Sequence, residues 1–205
     1  MALDGQPAEP FPARNGAVVL APGGRADIFI DAALAAGAVA NILLHDGTEA
    51  RPIARLVGSK EPPFRSVPLA AAAPLPSNGL PARLELKGAL RVELALSGPQ
   101  ANWVAPAAYT PSAAPAFRAK AGRIVVLSLK NPAAVTMVFH LHGHHFRLLD
   151  RLDDGWKPYW LDTLAIEAGQ TQLVAFAAEY PGRWLLEVNA ADWTAPRGLR
   201  WFSVE

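Results

Sequence analysis

The sequence predicts an all-β sandwich, on three observations. Nineteen prolines and sixteen glycines punctuate the 205 residues, which leaves little uninterrupted chain for helices. Between them lie short runs rich in Val, Ile, Leu and aromatic side chains, the types that suit a pleated, half-buried surface. The runs recur at regular spacing with turn residues between them, as strands of a sandwich do.

Taken in order, Ala17 to Leu20 reads as the first strand and Arg25 to Ile30, after the Pro22-Gly23-Gly24 turn, as the second. Val39 to Leu44 and Pro52 to Val57 flank the Asp46-Gly47 turn, and Ala82 to Leu86 and Leu90 to Leu96 flank Lys87-Gly88. Arg123 to Leu129 follows the Gly122 turn, and Val135 to Leu149 reads as one long strand. Thr163 to Ile166, Gln172 to Ala177, Arg183 to Val188 and Leu199 to Val204 complete the set. A weak repeat supports two copies of one fold, because residues 20–30 lie over residues 166–176 without a gap, each a glycine turn before an apolar strand. Residues 121–127 fit either a third copy or ordinary turn-strand chemistry.

Glu61-Pro62-Pro63-Phe64 and the Pro/Ala-rich stretch from Ala70 to Pro81 suit a stiff, extended linker. The reading is therefore a partial domain over residues 1–60, a linker over 61–82 and a complete sandwich over 83–205. The first part has too few strands to close a sandwich, so it needs a partner segment or a neighbouring domain to cover its open edge.

With 51% hydrophobic and 18% charged residues the chain is globular, and a net charge of +1 gives no electrostatic footprint for nucleic acid or an anionic membrane. No apolar run approaches the roughly 20 residues of a membrane span, and the start of the chain lacks the pattern of a signal peptide. There is no cysteine, so disulfides, zinc fingers and iron-sulfur ligation are excluded. No Ser-His-Asp set, phosphate-binding glycine loop or carboxylate pair argues for hydrolysis or phosphoryl transfer.

Four of the five histidines fall in Phe139-His140-Leu141-His142-Gly143-His144-His145-Phe146. Side chains two apart on a strand share a face, so His140, His142 and His144 are placed to present imidazoles together to copper or zinc. His144 and His145 read more readily as outer partners or surface groups, and His45 as a turn residue. Trp156, Tyr159 and Trp160 suit either a groove lining or, preferably, core and loop anchors. Asp162-Thr163 reads as a turn or structural hydrogen-bonding pair.

Together with Asp4-Gly5-Gln6-Pro7, Leu20 to Asp27 and Tyr180-Pro181-Gly182-Arg183-Trp184-Leu185-Leu186, the histidine motif makes the chain resemble the C-terminal half of a three-domain multicopper oxidase. That resemblance implies cupredoxin-like (plastocyanin-like) Greek-key β-sandwich domains, the end of a middle domain followed by a complete third. It implies a laccase-like, copper-dependent oxidoreductase that couples substrate oxidation at a type 1 copper to dioxygen reduction at a trinuclear cluster. It also implies a periplasmic or other extracytoplasmic setting.

The family's His-Pro-x-His-Leu-His-Gly-His pattern puts a type 1 ligand at Met137 and cluster ligands at His140 and His142. Its His-Cys-His pattern falls on Glu187-Val188-Asn189, its further histidine on Trp193, and its axial residue on Leu199 if the loop has one extra residue. The type 1 ligands are thus replaced by Met137, Val188 and Trp193, and no blue copper is expected. What remains is a His-x-His copper half-site, His140 and His142, whose completion needs an N-terminal cupredoxin domain or a partner chain. The isolated chain is expected to be inactive as an oxidase. A copper-free cupredoxin scaffold for protein binding, or a decayed fragment, are the other readings.

Overall fold

The computed structural model describes residues 2–65, 67, 69–81, 83–99, 101–110, 113–149, 159–192, 194 and 196–205. Contacts divide the chain into two units, Met1–Asp27 with Pro74–Glu205, and Ile28–Ala73. This division runs across the 1–60 segment read from the sequence, because residues 1–27 pack with the later part of the chain.

The larger unit is built on two facing sheets. The first contains β6 (Leu90–Ala95), β8 (Arg123–Lys130), β10 (Arg147–Leu148) and β12 (Thr171–Ala178), in the order β10-β12-β8-β6. The second contains β7 (Arg118–Ala119), β9 (Met137–Leu141), β11 (Thr163–Ile166), β13 (Gly182–Ala190) and β14 (Gly198–Val204), in the order β11-β9-β13-β14-β7. β6 and β8 run parallel, as do β14 and β7, while the other neighbours are antiparallel.

Strand alternation explains how the sheets meet. Val125, Leu127 and Leu129 of β8 point inward at 0% exposure, towards Phe139 and Leu141 of β9, Phe176 of β12 and Phe202 of β14 in one core cluster. Burying each such side chain contributes about 1.5–3 kcal/mol, so this interior is the main stabilising element. The outward face of β8 is apolar as well, and Val126 there packs with Leu84, Leu149, Trp160 and Ala175 in a second cluster. Leu80, Leu86 and Ala89 pack against that cluster, so the segment leading into β6 covers the outside of the first sheet.

That covering role accounts for one difference from the sequence reading. Residues 83–86 form no strand, because they pack by side chains across a sheet face and join no ladder. The expected strand over residues 135–149 is broken into β9 and β10, because Gly143 adopts φ +74 and turns the chain. Residues 17–20 also form no strand, and Val19 is 97% exposed.

At the start of the chain, β1 (Ala2–Leu3) and β2 (Gln6–Pro7) form a tight hairpin, and β1 also pairs with β3 (Ala26–Asp27). Asp4 and Gly5 both have positive φ, +47 and +75, as an Asp-Gly hairpin turn with right-handed strand twist demands. The smaller unit is a two-stranded antiparallel sheet, β4 (Val39–His45) with β5 (Ala50–Val57). Its register shifts between Ile42 and Leu43, opposite the stretch that contains Pro52, whose missing N–H cannot serve the ladder. No helix among the described residues is long and apolar enough to cross a membrane.

Candidate metal centre

β9 sends Met137, Phe139 and Leu141 into the core and turns His140 to the opposite face. β11 and β13 flank it, and their register puts Thr163 and Glu187 beside His140 in one row across three strands. His142 follows directly after β9 and keeps the same side, so the two rings meet edge to face with centroids 4.3 Å apart. His140 and His142 are thus brought together as their spacing predicts.

His144 departs from that face, because Gly143 ends the strand between them. Its side chain is 3% exposed and sits among Phe176, Tyr180, Trp184 and Phe202, with ring centroids 5.1–5.7 Å away. Neither ring nitrogen has a hydrogen-bond partner. Burial pulls its pKa down to about 4. The surface role read from the sequence does not apply to it. His145 meets Gln6, with Nε2 atoms 3.1 Å apart, and lies 3.9 Å from Asp162 Oδ2.

Hydrogen bonding fixes which nitrogen each half-site ring offers. The Thr163 hydroxyl donates to Asp162 Oδ1 at 2.7 Å, so its oxygen is left to accept from His140 Nδ1, also at 2.7 Å. His140 therefore keeps its lone pair on Nε2. On the other ring, Nε2 lies 3.1 Å from a Glu187 carboxylate oxygen, an acceptor only, so Nε2 carries the proton and the lone pair is on Nδ1. A metal-binding histidine characteristically has its second nitrogen tied to a carboxylate or similar acceptor in this way.

Both carboxylates are held in turn. Arg25 pairs with Asp162 at 2.6 Å, and Arg197 bonds Glu187 through Nη2 at 2.7 Å and through Nε. Burial works to raise both acids, but hydrogen bonds win: His140, Thr163 and Arg25 hold Asp162 well below the usual carboxylate range, and Arg197 and His142 lower Glu187. Burial also lowers His142, against the pull of Glu187, which keeps the ring neutral at pH 7.

Asp4 secures this arrangement from the start of the chain. Its side chain is buried, and its carboxylate accepts from the backbone N–H of Arg25 at 2.9 Å, Asp162 at 3.0 Å and Thr163 at 3.2 Å. Asp4→Asn removes one acceptor oxygen and turns an amide donor towards those N–H groups, so a loss of about 2 kcal/mol is expected. Thermal unfolding should register it as a midpoint lower by about 4–8 °C; an unchanged midpoint would refute the clamp.

Among the described residues, no group of three or more His, Cys, Asp or Glu side chains converges to hold a metal ion. The two carboxylate-supported imidazoles suit copper as half a coordination sphere, but not as a whole one. The positions that the family resemblance assigns to type 1 ligands are filled differently. Met137 and Val188 are 3% and 2% exposed within the core. A Cβ on Gly198 would fall 2.8 Å from Trp103 and 3.1 Å from Val188, so the space beside Val188 is already filled. Asn189 is buried and bonds the Ala190 carbonyl, and Leu199 bridges to Val104. Trp193 and Trp156 lie outside the described residues.

A multicopper oxidase family model matches residues 84–201, more than half of the chain. The chain belongs to the multicopper oxidase family. Its fold is the cupredoxin-like sandwich of that family, and multicopper oxidase structures superpose on it. Lac15 from a marine microbial metagenome aligns with a TM-score of 0.76 at 24% identity, over 99% of this chain and 48% of its own. The multi-copper oxidase of Pseudomonas thermotolerans aligns at 0.61 and 24%, over 83% and 41%. McoA of Aquifex aeolicus aligns at 0.63 and 13%, over 84% and 41%. Among curated proteins, the iron transport multicopper oxidase fio1 of Schizosaccharomyces pombe is 29% identical over 91 residues, 38% of this chain and 14% of that protein. This multicopper oxidase chain thus spans about half the length of Lac15 and a seventh of fio1. Family membership implies copper binding.

Three of the described residues around the centre had no sequence signal of their own: Arg25, Arg197 and the clamping role of Asp4. His45 accepts from the Gly47 N–H at 3.0 Å, the turn role read for it. Trp160 is 4% exposed in the second cluster, and Arg147 lies over its ring at 4.8 Å, an anchor that also lines a pocket with Leu80, His145 and Tyr180.

Proposed function

We propose that this chain supplies one face of a multicopper oxidase copper cluster, through His140 Nε2 and His142 Nδ1, and forms no type 1 centre. The observation that carries it is the matched support of the two rings, each with one nitrogen bonded to an acceptor and the other left with its lone pair. Bound copper would supply the redox chemistry for which the family is named. The chain's own part is to orient the two imidazoles and fix their tautomers through Asp162, Thr163 and Glu187. The remaining ligands come from a further cupredoxin domain or partner chain, and residues 1–60 derive from a middle domain, joined by residues 61–82 to the third domain at 83–205. An extracytoplasmic location follows from the family. Substrate oxidation by the isolated chain is not expected, since the absence of cysteine leaves no thiolate for a blue copper.

A copper-free scaffold is the second reading, favoured by the apolar filling around Met137 and Val188. Equilibrium titration with copper against a competing chelator separates the two, comparing the parent chain with His140→Ala/His142→Ala. The expected result is a copper complex without a blue charge-transfer band that is lost in the double variant. At a hundred times the dissociation constant the metal adds about 2.7 kcal/mol, a rise in midpoint of roughly 5–11 °C. Equal binding by both proteins, or none by either, would leave the scaffold reading in its place.

A further inference from the structure

Glu187 and Arg197 suggest a role that neither the family match nor the histidine spacing assigns. We infer that Glu187, braced by Arg197, is a positioning residue that holds His142 with its proton on Nε2, so that the half-site presents one Nε2 and one Nδ1. The inference rests on the half-site reading and adds to it that the Arg197-braced Glu187 sets how deeply the half-site holds its metal.

The two rings are supported by different routes. His140 reaches its carboxylate through the Thr163 hydroxyl, and Asp162 is then tied to Arg25 and Asp4. His142 has no such hydroxyl; its Nε2 goes straight to Glu187 Oε2 at 3.1 Å. Glu187 stands opposite His140 in the β9–β13 register, yet its carboxylate is spent on His142 and Arg197. Arg197 engages both carboxylate oxygens, Nε to Oε1 and Nη2 to Oε2, in the forked geometry that fixes a carboxylate plane.

That orientation decides the chemistry of the ring. A carboxylate accepts and never donates, so a neutral imidazole facing it must place its only N–H there. The opposite nitrogen is Nδ1, bonded to the ring carbon that carries the side chain, so a metal held through it lies closer to the backbone than one held through Nε2. A matched pair of Nε2 donors would set the metal farther out from the sheet. The Glu187–Arg197 pair therefore sets the depth at which the half-site meets its completing domain, as well as the basicity of the ring.

The test uses the full chain with ¹⁵N-labelled histidine, first without metal and then with zinc as a diamagnetic probe. In the parent protein at neutral pH the His142 resonances should report protonated Nε2 and bare Nδ1, with zinc shifting Nδ1. Glu187→Ala should mix the two tautomers and weaken zinc about tenfold, and Arg197→Ala should do the same to a smaller extent. Glu187→Gln, which keeps an acceptor oxygen, should restore most of the parent tautomer. A merely structural role would leave the tautomer unmoved. Parent His142 protonated on Nδ1, or the same tautomer in Glu187→Ala, overturns the inference. The expected tautomers with no metal bound by the parent chain overturn the half-site reading instead.

Discussion

Gly143→Ala is expected to destabilise the larger unit by about 4 kcal/mol, the large end of single-substitution effects. Two costs combine. The residue sits at φ +74, where a side chain costs about 1–2 kcal/mol. A Cβ there would fall 2.1 Å from both Cε3 and Cζ3 of Trp184. The indole cannot simply move aside, since its Nε1 donates to the Tyr180 carbonyl at 2.8 Å and its ring closes over His144. The thermal midpoint should fall by about 8–16 °C. Gly169→Ala is the control, because Gly169 has a similar φ of +71 and nothing within 4 Å of its Cβ position. Equal losses in the two variants would show that the indole contact is immaterial.

Acid should cost this fold stability through His144, and His144→Phe should remove that sensitivity. The folded pKa of His144 lies at about 4 and its ordinary value is 6.5. Between those limits the unfolded chain binds a proton that the folded one refuses, so stability is complete above pH 6.5 and falls as pH drops towards 4. The difference amounts to about 3 kcal/mol. Phenylalanine fits the surrounding aromatic cluster and carries no nitrogens to leave without partners, so the variant should be as stable as the parent at pH 7. Urea unfolding at several pH values measures both curves. Identical slopes from pH 6.5 to 4 in the two proteins would rule out His144 as the source.

Much of the fold was legible in the sequence because strands with an apolar face announce themselves. β8, β12, β13 and β14 were anticipated to within two residues at each end, from apolar runs that follow or precede glycine turns. Apolar alternation alone misled at residues 83–86, where leucines cover a sheet without joining it, and at residues 17–20, where the apolar side chains stay exposed. The His140 and His142 pairing was readable because alternation along one strand is local. Extending it to His144 failed because one glycine conformation ends the strand. Arg25, Arg197 and Asp4 were not readable as parts of the centre. Arg25 meets Asp162 across 137 residues and Asp4 reaches Thr163 across 159, and no local pattern encodes such contacts. Glu187 reads from the sequence as a solvated or hydrogen-bonded acid, with metal ligation the lesser alternative; only the fold identifies its partners as His142 and Arg197.

The Asp4 clamp also has a consequence for how the protein is made. The first hairpin is synthesised long before the Asp162 N–H that it must accept, 158 residues later in the chain. At ribosomal speeds of about 5–20 residues per second, the Asp4 carboxylate waits roughly 8–30 s for its partner. During that interval β1 has its own hairpin and β3 but not the β11 end of the sandwich, so this edge stays unfinished until β11 has emerged. Completion of the half-site thus waits on strands made long after the hairpin that clamps it, and agents that shield nascent chains would act on this edge throughout that interval.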